Sequence, residues 1–159
     1  EEHAMSEVTG PTSATRVSRF SSADEVRALV DAFEACTLTH AEWTHAAHVS
    51  VAVWYVLWYG DAEATDRMRA GLHKLNAAHR VPVTPTRGYH ETITRFYVWL
   101  VARELRAKPI DAPLAEIANA VVDACEDRNI PLRYYSRDRL MSWEARTSWI
   151  EPDLRPLDM

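Results

Sequence analysis

The stretch Trp43-Thr44-His45-Ala46-Ala47-His48-Val49-Ser50-Val51-Ala52-Val53-Trp54-Tyr55-Val56-Leu57-Trp58-Tyr59-Gly60 decides the fold. From Ala46 to Tyr59 it is an apolar run of about 14 residues, shorter than the roughly 20 a membrane span needs and interrupted by His48 and Ser50. Around a helical wheel, His48, Val49, Ala52, Val56 and Tyr59 fall within about 60° of His45, while Trp54, Leu57 and Trp58 cover the other faces. A helix apolar all round belongs at the centre of its domain. Thr39 with Glu42 three residues later reads as a capping box that starts this helix, and Gly60 stops it.

Working outward, Val26, Leu29, Val30, Phe33 and Thr37 recur at helical spacing behind Ser21-Ser22-Ala23-Asp24-Glu25, a serine cap with an acidic first turn. Asp61 can cap a third helix to about His79, with Met68, Leu72, Leu75 and His79 inward, Arg67, Arg69 and Lys74 outward, and Asn76 at the stripe's edge. Val81 to Gly88 is a loop, because its prolines break helix and ladder alike. A fourth helix follows to about Lys108, lining up His90, Thr94, Tyr97 and Val101, and Leu114, Ile117, Val121, Val122 and Cys125 mark a fifth that ends near Asn129. A short helix capped by Ser136 precedes a Pro-punctuated tail, with Trp143, Trp149 and Leu154 as its expected anchors.

The predicted fold is therefore all-α: residues 21–159 as a single-domain bundle of four to five main helices, with an extended C-terminal tail packed on it. Residues 1–20 read as a flexible arm, and Glu1-Glu2-His3-Ala4 ahead of Met5 as a cloning remnant, so His3 is set aside. With only 4 glycines, the composition suits helices. A net charge of −5 offers nothing to neutralise phosphates, which argues against nucleic acid. Cys36 and Cys125 show neither pairing nor metal spacing, which suggests a reduced, cytoplasmic protein. A small-molecule substrate is expected, no membrane partner, and a homodimer is left open.

His45 and His48, three residues apart on one helix, have the spacing of a metal half-site, and His90 from another helix would complete it. The expected cofactor is one divalent transition metal, iron, copper or zinc, on His45, His48 and His90. The bland alternative is three hydrogen-bonded core histidines. Glu42 and His45 make a Glu-x-x-His unit without a second copy, which argues against a two-metal carboxylate site; Glu42 reads first as a cap, with a facial iron site of two histidines and one carboxylate from Glu42 or Glu91 as the alternative. Glu91 is placed as general base or as a group orienting a ligand, with a favourable first-turn acid as its structural alternative. Thr94 would bond either the site or the carbonyl behind it, and Asn76 would hold substrate or water if it faces the cluster. His40, His79 and Cys36 are weaker candidates.

The pattern Trp43-Thr44-His45-x-x-His48, Asn76, Gly88-Tyr89-His90-Glu91-Thr92-x-Thr94, Tyr135-Ser136-Arg137 and Pro152-Asp153-Leu154-x-Pro156-Leu157 resembles a family of small, largely uncharacterised bacterial helical proteins. The resemblance implies no particular chemistry. In size and in a candidate set of three histidines for the metal the chain is also similar to DinB-type metal-binding bundles, although there a single His precedes a His-x-x-x-His pair. The functional expectation is a mononuclear iron or copper oxidoreductase acting on a small metabolite. The alternatives are a zinc-dependent hydrolase, lyase or transferase, a binding bundle without turnover, and an interaction module with structural histidines.

Overall fold

The structure, a computed structural model, describes residues 19–109 and 111–158. Its elements in order are α1 (Ala23–Glu34), α2 (His45–Tyr59), α3 (Asp61–Ala78), α4 (Glu91–Arg106), α5 (Leu114–Ala124), a 3-10 turn (Ile130–Arg133), α6 (Arg137–Leu140) and α7 (Trp143–Thr147). Among the described residues there is no strand beyond an isolated bridge between Thr84 and Arg87. The all-helical bundle is as the sequence predicts.

The apolar helix is central: α2 packs against α1, α3, α4 and α5, and Ala47, Val49, Val51, Ala52, Val53 and Tyr55 are buried. Its last turn differs, since Leu57, Trp58 and Tyr59 emerge to solvent. No helix among the described residues is long and apolar enough to cross a membrane. The Thr39–Glu42 box forms, with the Thr39 amide donating to Glu42 and the Glu42 amide to the Thr39 hydroxyl. It closes a separate turn, however, and α2 starts later, at His45, where the Thr44 hydroxyl caps the Ala47 amide. Gly60, at φ +79°, both ends α2 and begins α3 in a backbone region open to glycine.

Most of the expected arm lies outside the described residues. Its last two, Arg19 and Phe20, are tied to α5: Arg19 pairs with Asp123, and Phe20 exchanges two hydrogen bonds with the Asn119 amide. At the other end, the segment from 130 onward is strapped over α4 by Tyr134, Tyr135, Leu140, Ala145 and Ile150, all buried. Two of the expected anchors are not anchors, since Trp143 is 51% exposed and Leu154 59%. Only Trp149 packs against the core.

Candidate functional site

His90 is not on the face of α4; it is the N-cap, in extended conformation at φ −135°, and its Nδ1 accepts from the Ile93 amide at 3.1 Å. That acceptor fixes the proton on Nε2, which donates to the Leu140 carbonyl at 2.8 Å. Both ring nitrogens are thus engaged, and burial holds the imidazole below its ordinary pKa. His45, at the first turn of α2, donates from Nε2 to the Cys125 carbonyl at 2.7 Å, and among the described residues its Nδ1 has no hydrogen-bond partner. His48 is half-buried between Trp43 and Tyr97, and burial, with a smaller push from His45, lowers its pKa to about 4.

Among the described residues, no three His, Cys, Asp or Glu side chains gather in a way that could hold a metal ion. The chain's residues do not fit a three-histidine centre that includes His90. The weaker candidates have structural roles. His79 caps the end of α3 and donates to the Leu38 carbonyl, with exposed His40 edge-on to its ring. Cys36 lies half-buried just beyond α1.

Glu91 belongs to a different constellation. Its carboxylate is nearly buried, with Arg69 Nε on Oε1 and Arg69 Nη2 on Oε2, both at 2.8 Å, and the Tyr89 hydroxyl donating to Oε1. Arg69 holds this carboxyl below the usual carboxylate range against the opposing effect of burial. A base that weak is poorly matched to proton abstraction near neutral pH. Thr94 is buried and donates to the His90 carbonyl, the local bond that its position allows. Asn76 is half-buried, and its backbone carbonyl accepts from the Val81 amide.

Around Glu91 opens a pocket of about 490 Å³ lined by Arg69 and His73 from α3, Val83 from the loop, Tyr89 and Glu91 at the head of α4, and Arg146 to Trp149 at the end of α7. Of the expected site residues, only Glu91 lines it. Gly88, at φ +91°, permits the loop to close, because a Cβ there would meet the Pro82 carbonyl at 2.6 Å. The His73 and Tyr89 rings lie 4.2 Å apart. Arg146 is 7% exposed; its Nη1 donates to the Gly88 and Tyr89 carbonyls, and its Nε has no partner among the described residues.

On the helical wheel Arg69 points outward, and none of His73, Tyr89 and Arg146 stands out in the sequence as a site residue. Arg69, His73 and Asn76 share one face beside the Met68–Leu72 stripe, a signal that was present. Arg146 had none, because it sits in a short polar helix and resembles a solvated charge. No protein-family model, no curated protein and no solved structure matches the chain significantly.

Proposed function

We propose that the protein is a small-molecule binding bundle whose ligand occupies the pocket between α3, the head of α4 and α7. One observation carries this reading. The two buried residues that bear a charge among those described, Glu91 at the head of α4 and Arg146 in the strap that crosses it, both line this pocket. Burying charge is costly, and a guanidinium left without a counter-charge is costlier still, so such placement belongs to a site more than to a core. The volume suits a small organic ligand, and the lining combines aromatic walls with a few fixed polar groups. The test is a metabolite screen on the intact chain, read by amide chemical shifts. Binders should perturb residues 88–91 and 146–149; hits that map only elsewhere on the bundle would refute the assignment.

A second reading, the mononuclear metal enzyme, keeps one supporting observation. His48 is held neutral beside a His45 whose Nδ1 has no hydrogen-bond partner among the described residues, so both imidazoles remain able to accept a metal such as iron, copper or zinc. A further ligand other than His90 is then required. Metal analysis of the natively purified protein and of His48→Ala tests it: a stoichiometric ion lost in the variant supports the reading, and an unchanged trace level removes it.

A further inference from the structure

We propose that the pocket's ligand is a small organic acid with a single carboxylate, gripped by Arg146 while its planar body packs against His73, Tyr89 and Trp149. This rests on the pocket assignment above and names the ligand class. Three observations carry it.

The first is a balance of charge. Arg69 and Glu91 satisfy each other in a two-pronged pair, which leaves Arg146 as the pocket's uncompensated cation. Among the described residues Arg146 meets only backbone carbonyls, both through Nη1. The second is the geometry of what remains. The buried Nε lacks a partner among the described residues, and Nε with Nη2 forms the edge of a guanidinium that receives a carboxylate with two parallel bonds. The chain already displays that mode, because Arg69 holds Glu91 by the same two nitrogens. Nε is closed off from water, so seating a carboxylate takes a small shift of the Arg146 side chain toward the pocket.

The third is the wall. Tyr89 is nearly buried with the His73 ring against it, and Trp149 is half-buried with Arg95 over its ring at 4.8 Å. Flat aromatic surfaces beside a cation suit an unsaturated or aromatic body. Among the residues that line the pocket one positive charge is uncompensated, which matches a monoanion, and the Glu91 carboxylate would repel a phosphate dianion. Glu91 is not free to receive a cationic ligand, since Arg69 and Tyr89 occupy both its oxygens.

The experiment titrates the full chain at neutral pH with a panel of aromatic and unsaturated monocarboxylates, each paired with its primary amide, and with inorganic phosphate, followed by amide shifts and calorimetry. The expected result is an acid that perturbs residues 88–91 and 146–149, with its amide at least about tenfold weaker. Arg146→Gln should lose that tenfold preference, and Arg146→Lys should keep part of it. The acid–amide comparison needs no variant, so it stands even where Arg146→Gln fails to fold. Amides binding as well as acids, or phosphate outcompeting every acid, would overturn the carboxylate proposal while leaving the pocket assignment in place. If no compound of any class perturbs these residues, the pocket assignment itself fails.

Discussion

At the residue scale, His90 joins two backbone segments. Its Nδ1 caps α4 and its Nε2 holds the Leu140 carbonyl from the far end of the chain. Removing the ring leaves an amide and a buried carbonyl without partners. His90→Ala should therefore lower unfolding free energy by about 2–3 kcal/mol, a lost cap plus a lost buried bond. His90→Asn, which can still cap, should lose about half of that, and urea unfolding of the two variants measures the split. His48 gives a prediction in pH. Its folded pKa of about 4 lies below the ordinary imidazole value, so the unfolded chain binds the extra proton. Its neutral form suits the fold fully above about pH 6.5, and stability falls as pH drops from there toward about 4, by up to about 3 kcal/mol. His48→Gln should flatten that slope between pH 6.5 and 4; a variant with the same slope as the parent would show that other groups cause it.

At the scale of elements, α1 and α3 meet at Gly71, where an added Cβ would fall 2.3 Å from the Phe33 ring. Phe33 is fully buried and stacked on Trp43 with centroids 4.8 Å apart, so it cannot swing aside. Two effects oppose each other in Gly71→Ala. Alanine gains roughly 1 kcal/mol of helix propensity, whereas overpacking costs about 1–3 kcal/mol. The prediction is a net loss of about 1 kcal/mol, largely recovered in Gly71→Ala with Phe33→Leu, as thermal melts of the three proteins would show. The same contrast explains what could be read in advance. The 3.6-residue period identifies α1 to α5 because a long helix averages its signal over several turns. It does not tell which residue takes the cap. His90 looked like a helix-face ligand because histidine is an uncommon cap, and placing it one residue inside α4 swung its ring toward Thr94 and Tyr97 instead of Leu140. Arg69 looked outward because wheels rank a charge by hydropathy, whereas here its partner Glu91 lies on another helix.

At the scale of the whole molecule, the Gly88-to-Thr94 motif reads as a latch. Gly88 and Tyr89 offer carbonyls to Arg146, His90 holds Leu140, and the buried Thr92 hydroxyl donates to the Ser148 carbonyl at 2.9 Å while accepting from the Ile150 amide at 3.3 Å. Tyr135 adds its hydroxyl on the Ile150 carbonyl. The contacts of the Gly88-to-Thr94 motif have no signature in the sequence, since they join segments 50 or more residues apart through single backbone groups in irregular structure. The size of Trp143 and Leu154 suggested burial that tertiary packing did not provide. The latch also builds one wall of the pocket, Arg146 to Trp149, so fold and site should fail together there. Thr92→Val tests this with an almost unchanged shape. It leaves the Ser148 carbonyl and the buried Ile150 amide without their partner in a partly buried setting, a loss of about 1–3 kcal/mol. Hydrogen exchange should show the change localised: amides from 146 to 154 lose protection, while those of α2, shielded by four helices, keep theirs. Ligand affinity should fall in the same variant. Protection lost equally across α2 and the strap would instead show that the two open as one cooperative unit, and the latch would then not be a separable element.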